Sequence, residues 1–233
     1  MNNNIKIFLV STFLLGSLYA KEYDDTGVYF RQGLVYDANT NELYTGSYDE
    51  YYESGELASK KEYKNGRLSG RIVLLRADGE VTEDCQYENG IRHGKCYLFG
   101  QIHALTTVLE IATGTYVNGK RDGVWEFYRP KVFYDNTSSN TYLSSKGSYS
   151  QGKKIGKWEM FNKNGDLVGG GDHDENGNPT GKWVIFTYYG YTEEGKFING
   201  KQNGVWILRY PDGKLCTRKY YDGIHKGKDK CNK

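Results

Sequence analysis

Residues 172–181 read DHDENGNPTG and set Asp172, Asp174, Asn176 and Asn178 at alternate positions. A hard cation such as calcium takes carboxylate and amide oxygens offered in that way. Against a calcium loop, its twelfth position is Trp183 rather than a bidentate Glu, and Asn176-Gly177 also fits a turn. The four histidines (His93, His103, His173 and His225) are scattered, and no pair has a metal-ligand spacing. Solvated turn residues are the expectation for them, and no metal or other cofactor is assigned. No GxSxG, HExxH or P-loop motif occurs. A glycosidase-type carboxylate pair could hide among 29 Asp+Glu. A thin repeat sheet, however, offers no deep pocket of the usual kind, so the chain is read as a non-enzyme.

Composition narrows the class further. The chain of 233 residues carries 30 Gly, 22 Tyr, 4 Trp and only 3 Pro. Its mean hydropathy of −0.74 would suit a disordered chain, but aromatics at 15% would not. A net charge of +2 leaves no electrostatic footprint for nucleic acid. The expectation is a folded, Gly- and Tyr-rich β protein.

The first twenty residues, MNNNIKIFLVSTFLLGSLYA, join one Lys (Lys6) to an apolar run and end on Ala20. This is the order of a secretory signal peptide. The run is too short to span a bilayer, and no later stretch is apolar enough to do so. The reading is residues 1–20 as leader, 21–39 as N-terminal lead-in, and export to periplasm, cell surface or medium.

From there one unit recurs. Glycines at 46, 70, 94, 123, 156, 181, 204 and 227 anchor YKNGRLSGRIVLL, YENGIRHGKCYLF, YVNGKRDGVWEFY, YSQGKKIGKWEMF and their kin, mostly 23–25 residues apart. The two longer intervals mark insertions near 100–108 and 131–145. Seven before the anchor stands an aromatic (Tyr63, Tyr87, Tyr116, Tyr149, Phe197, Tyr220), with Asp174 in its place in the sixth unit. Four before it is a second Gly, usually after Asn, the pair a tight hairpin turn requires. Two and four after it the residues are apolar, a period of two that means a strand with one buried face. All four Trp (Trp125, Trp158, Trp183 and Trp206) occupy the first of these slots. Each unit is therefore strand, Asn-Gly turn, strand, second turn. The insert at 101–114 is read as an irregular loop running into a strand, and that at 133–145 as a polar loop.

The unit YxNGxxxGxWxFYxxDGxL resembles the MORN repeat in its bacterial variant form, across roughly residues 40–230. Non-Trp residues in the first three units depart from it. The resemblance implies an all-β fold: an elongated single-layer antiparallel sheet of consecutive β-hairpins, a MORN-like repeat solenoid of about eight units over 40–233. It also implies scaffold roles: some eukaryotic relatives sit at membranes, and bacterial variants include exported proteins and relatives described as antitoxins.

The Trp row is expected to be the structural ridge that buries each hairpin on the next. Five after each anchor lies a second row that includes Tyr51, Tyr128, Phe161 and Phe186. By strand parity it falls on the opposite face, either exposed as a candidate binding surface or folded inward where strands end. Register also pairs the cysteines. If each aromatic faces its anchor Gly, Cys85 stands opposite Cys96 and Cys216 opposite Cys231, giving two local disulfides in an oxidising compartment. The functional expectation is an exported, non-catalytic scaffold binding a protein or a surface glycan. An antitoxin-like neutralising partner of an exported effector is the alternative, and a cell-wall glycan-acting enzyme the third.

Overall fold

A computed structural model of the chain describes residues 27–102, 109–131, 140–187 and 189–232. The leader expected at 1–20 lies outside the described residues, as do His103 and the insert stretches 103–108 and 132–139. Every regular element among the described residues is a β-strand, so the fold is all-β. The chain divides into two compact units, one ending at Leu98 and the other starting at Phe99.

The first unit contains β1 (Val28–Arg31), β2 (Leu34–Asp37), β3 (Gly46–Tyr51), β4 (Leu57–Lys64), β5 (Arg67–Leu68), β6 (Gly70–Leu75), β7 (Val81–Glu88) and β8 (Ile91–Ile102), whose pairing with β7 reaches Leu98. Antiparallel pairing runs in sequence order from β3 to β8. The register differs from the one expected: each aromatic faces the anchor of the preceding repeat, Gly46 opposite Tyr63 and Gly70 opposite Tyr87, and not its own. Tyr87 faces Arg92 rather than Gly94, because the ladder shifts register between Cys85 and Tyr87. The lead-in holds a hairpin of its own. β1 and β2 pair, and Val28 and Val35 are buried against Tyr48 and Tyr63. A repeat sheet needs such a cover at its first unit, where no preceding hairpin shields the aromatic face.

The second unit contains β9 (Leu109–Val117), β10 (Lys120–Pro130), β11 (Thr141–Ser150), β12 (Lys153–Phe161), β13 (Leu167–His173), β14 (Pro179–Phe186), β15 (Thr192–Ile198), β16 (Lys201–Arg209), β17 (Leu215–Tyr221), β18 (Ile224–His225) and β19 (Lys230–Cys231). Each strand from β9 to β18 pairs antiparallel with the next, and β19 returns to pair with β17. The polar loop expected over 133–145 is shorter than its composition suggests, because β11 starts at Thr141 and pairs along β10.

Turn chemistry explains the hairpins. At Asn118-Gly119 both residues have positive φ (49° and 75°), the two-residue turn whose twist matches the flanking strands. Asn65-Gly66, Asn89-Gly90 and Asn199-Gly200 repeat it. The second turns, such as Asn162–Asp166 and Tyr210–Lys214, are longer, with the Gly N–H bonded back to the first residue's carbonyl. In four hairpins the strand after the anchor strand carries one extra residue: Ala58, Thr82, Ser144 and Val168. Such bulges increase local twist. At Ser144 the hydroxyl also donates to the Phe127 carbonyl (2.9 Å), satisfying a buried acceptor.

Candidate functional site

The two faces of the second unit's sheet are built from alternate residues and have different chemistry. On the first, each Trp ring lies flat over a glycine of the preceding strand. A β-carbon on Gly114, Gly147, Gly171 or Gly195 would collide with the indole of Trp125, Trp158, Trp183 or Trp206 respectively. The indole N–H of Trp125, Trp158 and Trp183 then donates to the carbonyl just after that glycine: Thr115 (3.1 Å), Ser148 (3.3 Å) and Asp172 (3.0 Å). The aromatic of the same hairpin meets each Trp edge-on. Tyr116–Trp125, Tyr149–Trp158 and Phe197–Trp206 have centroids 5.1–5.2 Å apart at 87–89°, the geometry aromatic quadrupoles favour. Arg121 and Lys154 cover Trp125 and Trp158 with their cations at 4.4 and 4.0 Å.

The same position, nine before and two after an anchor, is filled by other cross-strand pairs where Gly and Trp are missing. In the third unit it is Cys85 with Cys96, joined as a disulfide. At the C-terminal end it is Arg218 with Asp229, an ion pair of 2.7 Å. The other disulfide, Cys216–Cys231, sits two residues further out along both strands. Both bridges join directly opposed residues, the pairings expected, although the aromatics of these hairpins face Arg92 and His225 rather than the anchors Gly94 and Gly227. Both are compatible with an oxidising environment.

The sixth unit corrects two expectations. Its 172–181 segment is not an Asn-Gly turn but a copy of the longer second turn. Asp174 N–H bonds the Asn178 carbonyl, and Gly177 N–H bonds the Asp174 carbonyl. The Asp174 carboxylate accepts the backbone N–H groups of Asn176 and Asn178 at 2.9 Å each. Those backbone bonds, that from Asn178 above all, hold its carboxyl below the ordinary range. Asp174 is thus taken up by the turn, as Asn162 is in the equivalent turn of its neighbour. No group of three or more His, Cys, Asp or Glu side chains suited to a metal ion occurs among the described residues.

The extra turn residue also shifts the aromatic position by one. His173, not Asp174, faces Trp183 (5.0 Å, 85°), and it touches Trp158 on its other side (5.9 Å). It is a member of the ring ladder rather than a solvated turn residue. Its Nδ1 is buried without a hydrogen-bond partner among the described residues. Burial, with the Lys154 charge adding to it, holds the imidazole below its ordinary 6.5. The folded chain therefore takes up this proton less readily than the unfolded chain. The stabilisation is complete above the unfolded value and is lost as pH falls through the folded one. His173→Phe is expected to raise the melting temperature at about pH 5 more than at about pH 7. Equal shifts at both would show that the imidazole does not titrate in that window.

The second face is charged and partly apolar. Tyr128, Phe161 and Phe186 stay on it, as strand parity required, on β10, β12 and β14. The Tyr128 hydroxyl donates to Glu126 two residues away (2.7 Å), and burial, with that bond added, pushes its pKa up to about 12. Phe161 is half-buried under the Lys146 ammonium (5.5 Å), and Phe186 is 42% exposed. Tyr51 belongs to the first unit and is 40% exposed there. Between the rings run two ion-pair groups. Lys157 (3.0 Å) and Lys146 (3.5 Å) converge on Glu159, and Lys182 (2.6 Å) and Arg209 (3.6 Å) on Glu194. Lys157 and Lys182 hold the respective carboxyls below the ordinary glutamate range.

One cross-strand row of this face runs Glu126, Lys146, Glu159, Gly170, Val184, Glu194 in register. Gly170 is the gap in that row. Above it lies an open groove of about 390 Å³, walled by Lys157 and Glu159 on β12 and by Lys182 and Val184 on β14. Trp158, Leu167, Val168, Asp172 and the backbone of Gly169–Gly171 also line it. None of the three glycines can be replaced freely. A β-carbon at Gly169 meets the Val184 carbonyl, one at Gly170 the Trp158 carbonyl, and one at Gly171 the Trp183 ring.

The Gly–Trp row and the glycine groove escape a reading based on hydrophobic period, because a residue without a side chain leaves no periodic mark. The signal was still present as a glycine nine or ten before the anchors at 123, 156, 181 and 204. Fold and faces together define a β-hairpin repeat protein with one packed aromatic face and one open charged face. Comparison of the chain with protein-family models finds no match. Comparison with curated proteins finds none either. No helix among the described residues is long and apolar enough to cross a membrane.

Proposed function

We propose that the chain is an exported, non-catalytic repeat scaffold of MORN-like type that binds a protein or surface polymer through the second face of its C-terminal unit. The observation that supports this most directly is the division of labour between faces. The Trp rings are consumed by contacts with glycines and neighbouring aromatics, and Trp125 and Trp206 are fully buried. The opposite face keeps Phe186, Val124 and Val205 exposed among paired charges, the mixture of apolar anchors and polar surround that recognition surfaces use. The leader-like N-terminus and the two disulfides support a site of action beyond the cytoplasm.

The test is affinity capture from a cell-envelope fraction with the wild type and with a Phe161→Ala/Phe186→Ala variant. Loss of the captured species in a variant that still melts cooperatively is the expected result. Undiminished capture would move binding off this face. A single stoichiometric protein partner would favour the neutralising, antitoxin-like role over glycan binding.

A further inference from the structure

We infer that the groove over β13 is a binding site for a neutral glycan segment; this deepens the scaffold reading above and rests on it. In the ladder row that crosses the second face, Gly170 interrupts a run of side chains between Glu159 and Val184. The trough that results has a floor of bare peptide backbone, an apolar wall at Val184 and polar groups at its rim: Lys157, Glu159, Asp172 and Lys182. Its volume of about 390 Å³ falls within the range of small-ligand sites.

Three properties choose the occupant. First, β13 is an inner strand whose backbone is paired with β12 on one side and β14 on the other. A peptide laid in the trough finds no free ladder to extend, so strand addition is closed to it. Second, the rim balances two ammonium groups against two carboxylates, and Lys157 and Lys182 already touch Glu159 and Glu194 at 3.0 and 2.6 Å. An anionic polymer would gain one attraction and one repulsion at each step. Third, a neutral sugar ring presents an apolar C–H face and a border of hydroxyls. Hydroxyls both donate and accept, so Glu159 and Asp172 can accept from them while Lys157 and Lys182 donate. The ring face can lie on the glycine backbone and Val184. Phe161 and Phe186, one step along the neighbouring strands, offer stacking surfaces to adjoining units of a chain.

The experiment is a titration of the full chain with cellotetraose, maltotetraose and chitotetraose, following the backbone amides of Gly169, Gly170 and Gly171 by two-dimensional NMR. Saturable shifts of these amides with at least one tetrasaccharide are expected. Val184→Trp, which lays an indole across the floor from the wall, is expected to abolish them. Lys182→Met alters only a side chain that is 69% exposed, so folding is not at issue. It is expected to weaken binding roughly tenfold, the loss of one charge-assisted hydrogen bond. No shift with any of the three sugars, or an unchanged titration in both variants, would overturn the inference. So would shifts produced by an extended peptide and not by the sugars. If Val184→Trp still captured the envelope partner that Phe161→Ala/Phe186→Ala loses, the glycan site would fall while the scaffold reading stood.

Discussion

Trp206→Ala is expected to cost about 3–5 kcal/mol, whereas Phe186→Ala is expected to cost about 1 kcal/mol or less. The asymmetry follows from the two faces. Trp206 is fully buried, with Phe197 edge-on at 5.2 Å and Tyr220 at 6.0 Å, and it belongs to a cluster with Trp183, Leu208 and Cys216. Removing the indole leaves a cavity between hairpins that cannot close, because the strand below it offers only Gly195. In a repeat sheet the loss should be felt first by the flanking hairpins, through nearest-neighbour coupling. Phe186, 42% exposed, leaves much of its ring in water. Chemical denaturation of both variants, with hydrogen exchange resolved along the chain, checks the order and the location. Equal destabilisation by the two would mean that the second face is also core, and the binding surface would have to move to the loops.

Gly195→Ala is expected to destabilise by about 1–3 kcal/mol, a large effect for one methyl group on an otherwise regular strand. The new β-carbon would sit against Cδ2, Cε2 and Cγ of Trp206, atoms of a rigid buried ring that has no space to retreat. The cost should therefore depend on the indole. In a Trp206→Ala background the same change should be nearly neutral, because the obstacle is gone. Residues in contact couple in this way by about 0.5–3 kcal/mol. A double-mutant cycle on unfolding free energy measures it. Additive effects would show that Gly195 is required for its backbone alone. Since Gly195 lacks the positive φ that marks the turn glycines, additivity is not expected.

The hairpins, most of their turns and both disulfide pairings were legible in the sequence because each leaves a positional trace. Period-two apolar residues mark strands, Asn-Gly marks the two-residue turn, and cysteines on the two strands of one hairpin mark the bridges. The register shift beside the turn, which sets Tyr87 opposite Arg92 rather than Gly94, leaves no such mark. Other features left no trace of that kind. The glycines at 114, 147, 171 and 195 act by lacking a side chain, and their partner indoles are a hairpin's length away. His173 was hidden by a single extra turn residue, which moves the ring position from 174 to 173. The hairpin Val28–Asp37 carries no repeat anchor, so only its packing on Tyr48 and Tyr63 shows its role. The groove over Gly170 is a gap in a row of side chains, and the row exists only once strands are paired.

The disulfides have a further consequence for resistance to proteolysis. Cys85–Cys96 ties the last hairpin of the first unit, and Cys216–Cys231 ties β19, the last strand of the second, to β17. The C-terminal hairpin of a repeat array has a neighbour on one side only and is where opening begins. A protease needs an opened, extended stretch to cleave, and in the β7–β8 hairpin and at β17–β19 a covalent bond holds the two strands together even when their hydrogen bonds break. Digestion must then wait for rarer opening of interior hairpins, whose strands are held by indole on glycine. Mild reduction removes that protection, so reduced protein should be trimmed first at its C-terminal end, where β19 is held to β17 by Cys216–Cys231.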